Sequence, residues 1–207
     1  AMISSEELAR ICAFCDEAVI TFISDEIYHG LEYEAPAQTA LRFTSNAIIV
    51  NSFSKYYAMT GWRLGWLVAP QTLMRPLERL QQSLAICAPT ISQKAALAAF
   101  DATQELDANR AVYARNRALL MKQLPLMGLD DFAPPDGAFY IYADVSRFTG
   151  DSLAFCRRML LEAGVAATPG VDFDPEGGAR QIRFSYAGAA ADVAEGVERL
   201  AAWLRKA

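Results

Sequence analysis

An α/β region passing into an α+β region is the fold class that the sequence predicts, on three observations. Two apolar, β-branched runs, Val19-Ile20-Thr21-Phe22-Ile23 and Ala47-Ile48-Ile49-Val50-Asn51, have the character of strands buried on both faces. A block of helical periodicity follows from about residue 71 to 124. The remainder alternates helix with short strands, so the two regions part near residue 104, giving 1–104 and 105–207.

The elements follow in order. Ser4 with Glu7 forms a capping-box signal, and Leu8, Ile11, Cys12 and Cys15 recur at helical spacing, which predicts a helix over Ser5–Glu17. The run 19–23 is the first strand, and Asp25 follows it directly. A loop rich in Glu, Ala and Pro leads to the second strand, 47–51, and a third, Leu64 to Val68, is stopped by Pro70. Helices are expected over about 71–86, 91–102 and 105–124, the last with Val112, Leu119, Leu120 and Leu124 among arginines. Pro134-Pro135-Asp136-Gly137 is a turn cluster before a strand at Phe139–Tyr142. Then come a helix at about 152–163, a short strand at 165–168, a loop at Pro169-Gly170, a strand at 181–185 and a helix at about 190–205.

Composition narrows the function classes. The 207 residues are 53% hydrophobic and 21% charged with a net charge of −5, as in a soluble globular protein. No basic cluster offers a surface for nucleic acid or an anionic membrane. No apolar stretch approaches the ~18 residues of a membrane span, and the first residues lack the layout of a signal peptide, so a cytoplasmic enzyme is the expectation. Cys12 and Cys15 make a C-x-x-C pair, but it lies in a helical pattern with no second pair, and the sole histidine, His29, is distant in sequence and reads as a loop residue. Both cysteines are expected to be small apolar residues on one helix face, and all four thiols to be free.

The stretch NSFSKYYAMTGWRLGW, residues 51–66, sets Lys55 between two strand-like runs rather than on a polar helix face. With Asp25 at the carboxyl end of a strand and Tyr28 three residues on, it makes a set of the kind that α/β sheets gather at their strand ends around a ligand. Each residue also has a plainer reading: a surface lysine, a turn-capping aspartate, a core tyrosine. Arg63, with its planar donor fork, and Ser52, with a compact hydroxyl, suit a phosphate. Trp62 and Trp66 read as packing. In QIRFSYA, 181–187, a single arginine, Arg183, interrupts a strand-like run and could be an edge charge facing water.

SDEIY together with NSFSKYYAMTGWRLGW resembles the class I/II aminotransferases, pyridoxal-phosphate enzymes of fold type I, at Ser52, Ser54, Lys55, Ala58, Gly61, Arg63 and Gly65. The resemblance implies that Lys55 forms a Schiff base with pyridoxal 5'-phosphate and moves the substrate's α-proton. It implies that Asp25 pairs with the pyridinium nitrogen, that Tyr28 donates to the ring oxygen, and that Ser52 and Arg63, with Ser54 beside them, grip the phosphate. Arg183 inherits the pairing with the substrate's α-carboxylate. Amino acids and 2-oxo acids are the implied substrates, and a homodimer the implied full-length assembly. PPDGAFYIY and VAATPGVDF resemble the family's small-domain strand and active-site loop. A carbon–sulfur lyase or synthase of the same fold, or a non-catalytic domain retaining it, are the alternatives.

The resemblance covers the C-terminal half of the family's usual length. It implies a partial large-domain sheet of fold type I over 1–104 and the α+β small domain over 105–207, without the family's NPTG-type segment. The implied fragment is expected to bind cofactor weakly, to be inactive alone, and to associate, rearrange or order poorly near residues 18–68.

Overall fold

The structure is a computed structural model and describes residues 2–206. The described residues divide into two compact units, 2–108 and 109–206.

In the first unit, helix α1 (Ser5–Glu17) begins where the capping box places it: Ser4 Oγ accepts from the Glu7 amide and the Glu7 carboxylate accepts from the Ser4 amide. Its buried face carries Leu8, Cys12 and Cys15, of which Leu8 and Cys12 pack with Ala40, Ala47 and Ile49, with Phe22 and Phe43 against them. Cys12 and Cys15 are both buried and free. Strands β1 (Ile23–Asp25) and β2 (Ile48–Ser52) pair in parallel, and β2 pairs antiparallel with β3 (Gly65–Val68), so β2 is central.

The first strand departs from expectation. The run Val19–Ile23 does not form a strand buried on both faces: Val19 is 92% exposed, Ile20 and Ile23 are also exposed, and pairing starts only at Ile23. The cause is the end of α1. The Val19 amide donates to Asp16 O at 3.3 Å and the Ile20 amide to Cys15 O at 2.8 Å, the paired bonds of a Schellman cap. Val19 therefore takes the left-handed conformation, φ 56°, that such a cap requires. Two residues that looked like strand terminate a helix.

Helices α2 (Gln71–Leu84), α3 (Thr90–Ala99) and α4 (Thr103–Leu126) follow, the boundary between the units falling within α4. No residue of α2 is buried, although Leu73, Leu77, Leu80 and Leu84 form one apolar stripe. Among the described residues no helix is long and apolar enough to cross a membrane.

In the second unit, β4 (Tyr140–Asp144), α5 (Ser152–Ala163), β5 (Thr168–Pro169), β6 (Gln181–Ser185) and α6 (Ala190–Leu204) make an antiparallel sheet of order β4-β6-β5 with packed helices. Asp151 caps α5 by accepting from the Ala154 amide, and Gly164, at φ 68°, ends it. The Val165 amide is drawn to Met159 O, so β5 is two residues long and later than its sequence suggests. One sheet face buries Ile141, Ala143, Ile182 and Phe184. By strand alternation the other face carries Tyr140, Tyr142, Arg183 and Ser185.

Candidate functional site

Parallel pairing brings the carboxyl ends of β1 and β2 side by side, and antiparallel pairing sets Gly65, the first residue of β3, opposite Ser52. Asp25, Ser52 and Arg63 therefore belong to one end of the sheet, and the segment Phe53–Leu64 forms a closed turn over it. The Phe53 amide donates to Leu64 O, the Met59 amide to Phe53 O, the Ala58 amide to Lys55 O, and Thr60 Oγ1 to Ser54 O at 2.8 Å. Phe53 is buried against Tyr57, Trp66 and Phe100, with ring centroids 4.8, 5.0 and 5.4 Å away. Burial in this cluster pushes the Tyr57 phenol above its ordinary pKa. Gly65 is required: a Cβ there would lie 2.7 Å from Asn51 O. Lys55 thus rides on a turn fixed at both ends by hydrogen bonds and beneath by aromatic packing.

Within that turn Ser52 Oγ lies 2.9 Å from Ser54 Oγ, 3.1 Å from Leu64 O and 3.0 Å from the Ser54 amide. One hydroxyl has one proton, so Ser52 donates to Leu64 O while accepting from Ser54 on both counts, or else donates to Ser54 Oγ. Lys55 is half-buried with Nζ 5.9 Å from the Tyr28 ring centroid. Arg63 is exposed, in the left-handed region at φ 50°, and its Nη1 donates to Thr60 O at 3.0 Å. Asp25 is exposed, and its Oδ1 accepts from the Ile27 amide at 3.2 Å, capping the turn that carries Tyr28. The structure thus joins Ser52 to Ser54 and Lys55 to Tyr28, and holds Asp25 and Arg63 by bonds to their own turns.

Two further residues shape this end of the sheet without having stood out in the sequence. Glu26 is buried beside Asp25: its Oε1 accepts from the Ala40 amide at 2.9 Å and from Ser24 Oγ at 3.1 Å, and His29 Nδ1 lies 3.4 Å from Oε2. His29 is a turn residue, as its sequence setting suggests, with this carboxylate as its neighbour. Tyr56 packs its ring on Gly30, where φ is 94° and a Cβ would fall 2.6 Å from two ring carbons. That close approach seats the Tyr28 turn against the Lys55 turn, and the lone glycine after Tyr28-His29 is the signal that could have disclosed it.

The second unit holds Arg183. It is on the central strand β6, so it is not an edge charge; Tyr142 stands directly opposite it on β4 and Thr168 on β5. Its Cζ lies 4.2 Å from the ring centroid of Tyr140 and 4.2 Å from that of Phe173. Its Nε is buried and has no hydrogen-bond partner. Phe173 follows the short 3₁₀ turn Gly170–Asp172, whose backbone packs directly on Gly178, so that a Cβ at either glycine would overlap the other's main chain. Tyr142 donates to Gly170 O at 3.4 Å, and burial followed by the charge of Asp174 raises its phenol pKa.

Comparison with known proteins accords with this geometry. The family model for aminotransferase class I and II matches residues 1–200. A valine–pyruvate aminotransferase of Mycobacterium tuberculosis is 52% identical over 98% of this chain and 53% of its own length. A (5-formylfuran-3-yl)methyl phosphate transaminase of Methanocaldococcus jannaschii is 39% identical over 95% of this chain and 53% of its own. The crystal structure of an aminotransferase from Mycobacterium tuberculosis superposes with a TM-score of 0.95 at 51% identity, covering 99% of this chain and 54% of that one. The chain spans about half the length of the curated relatives it matches. A single family accounts for the whole matched length and for both units: the chain belongs to the aminotransferase class I and II family.

Proposed function

We propose that this chain carries the lysine and the carboxylate-binding arginine of a pyridoxal-phosphate-dependent aminotransferase, with an amino acid and a 2-oxo acid as substrates and a cytoplasmic homodimer as the working form. The carrying observation is the turn 52–65, which puts Lys55, two hydroxyls 2.9 Å apart and the guanidinium of Arg63 at the carboxyl ends of two parallel strands. That donor set fits the cofactor: a primary amine for its aldehyde, two hydroxyls and a permanent cation for its phosphate, and a carboxylate, Asp25, for its ring nitrogen.

When bound, pyridoxal phosphate supplies an electron sink for charge developing at the substrate's α-carbon. The chain's own residues do the rest. Lys55 Nζ would hold the cofactor by its aldehyde and, once the substrate's amine has taken that place, the freed amine would take and return the α-proton. Asp25 would supply the negative charge that keeps a ring nitrogen protonated, and Tyr28, whose ring lies 5.9 Å from Lys55 Nζ, would donate a hydrogen bond to the cofactor's ring oxygen. Ser52, Ser54 and Arg63 hold the phosphate. Arg183 pairs with the α-carboxylate through two parallel N–H donors, orienting the substrate. The 52% identical valine–pyruvate relative makes valine and pyruvate the first pair to assay.

The test does not depend on turnover. Borohydride reduction in the presence of pyridoxal phosphate, followed by peptide mass mapping, is expected to label Lys55 ahead of Lys94, Lys122 and Lys206. Equal labelling of all four would sink the assignment.

A further inference from the structure

We infer that Tyr140 and Phe173 are positioning residues for Arg183, two aromatic rings that fix its guanidinium so that only the donor edge is offered to a planar carboxylate. The inference rests on the reading of Arg183 as the carboxylate partner and extends it to residues with no role so far. Arg183 Cζ is 4.2 Å from each ring centroid, well inside the ~6 Å range of a cation–π contact. The rings come from different elements, Tyr140 from β4 and Phe173 from the turn before β6. Tyr140 is a diagonal neighbour of Arg183 across the β4–β6 ladder, paired to Ser185 while Tyr142 faces Arg183.

Three consequences follow from that geometry. An arginine otherwise samples many rotamers, and ordering it on binding costs affinity; rings that immobilise it beforehand remove much of that cost. Rings over the guanidinium leave acceptors only its edge, which matches the fork geometry of a carboxylate. The Nε–H is buried without an acceptor, a state that costs stability, so the Nη groups are the donors this arrangement offers to a carboxylate. Phe173 is itself held by the Gly170–Gly178 packing and by Tyr142, whose ring is 6.3 Å from it.

The experiment is side-chain nuclear magnetic resonance of the 207-residue chain with labelled arginine, titrated with pyruvate. The Arg183 Nε–H signal is expected to be displaced by ring currents and to shift on titration. Phe173→Leu and Tyr140→Leu are expected to weaken pyruvate binding at least fivefold and to relax the ring-current shift. Phe173→Tyr and Tyr140→Phe are expected to stay within twofold, a rescue that loss of fold would not show. Undiminished binding in the leucine variants, or equal loss in the ring-retaining ones, overturns the positioning role alone. A ring-shifted signal that ignores pyruvate in the unmutated chain overturns the carboxylate reading and the positioning role with it.

Discussion

The amide of Ile20 donates to the carbonyl of Cys15 at 2.8 Å, and this bond, with that from Val19 to Asp16, consumes the start of what would otherwise be strand β1. A β-branched residue in the left-handed region carries a cost of about 1–2 kcal/mol, and Val19 also leaves its side chain in water. Val19→Gly is therefore expected to stabilise the chain by about 1 kcal/mol, net of glycine's greater unfolded entropy. Urea titration followed by circular dichroism checks it; an unchanged or lower midpoint contradicts the cap assignment.

Ser52 serves the turn before it serves any ligand. Ser52→Ala removes the acceptor of the Ser54 amide and the donor to Leu64 O, and is expected to cost about 1–2 kcal/mol. Ser54→Ala, which spares both, is expected to cost less than half as much while still weakening pyridoxal phosphate. Equal losses of stability would mean that Ser52 is not the keystone of the turn.

Arg63 separates stability from binding. Its φ of 50° suits glycine, and its hydrogen bond to Thr60 O is on the surface. Arg63→Gly is expected to leave stability unchanged or raise it by about 1 kcal/mol, yet to weaken pyridoxal phosphate about tenfold or more in equilibrium dialysis. Parallel loss of both properties would count against Arg63 as a phosphate ligand.

Glu26 is a buried brace. Glu26→Ala strands the Ala40 amide and removes the partner of Ser24, for an expected loss of about 2–3 kcal/mol. Glu26→Gln, which keeps an acceptor, should recover at least half of it in thermal melts.

Burial, aided by the charge of Asp172, pushes the Cys156 thiol from 9.0 up to about 11. The folded state keeps its proton where the unfolded chain has lost it, so this contribution is complete below about pH 9 and is lost as pH rises toward 11. Urea midpoints between pH 8 and 10.5 are expected to fall more steeply for the unmutated chain than for Cys156→Ala. Parallel slopes would exclude the thiol as a source of alkaline sensitivity.

Local signals were legible in the sequence wherever one residue type had one structural use. The Ser4–Glu7 box marks the start of α1 to the residue, and the run 181–185 is a strand over its whole length. The segment holding Ser52, Lys55 and Arg63 stood out through its likeness to the aminotransferase signature, and the structure closes it into one turn at the strand ends. Val19–Phe22 misled because β-branched character speaks for strands, whereas the helix ahead had no glycine with which to end and took a valine instead. Glu26 was hidden because the amide that its carboxylate accepts from, that of Ala40, lies fourteen residues further on. The rings around Arg183 were hidden for the same reason: no spacing along the chain relates 140, 173 and 183, and only the antiparallel ladder and a returning turn bring them together.

The contact of Gly170 with Gly178 has a consequence for anyone mapping this chain by saturation mutagenesis. A Cβ on Gly170 would fall 2.5 Å from the carbonyl oxygens of both Gln181 and Gly178, and one on Gly178 would overlap Gly170 itself. The two positions, eight apart, should appear as separate blank columns in a tolerance map, each refusing even alanine. They are one feature, main chain laid on main chain, and a pairwise library would find no compensating partner for either, because the space each side chain needs is already filled by peptide.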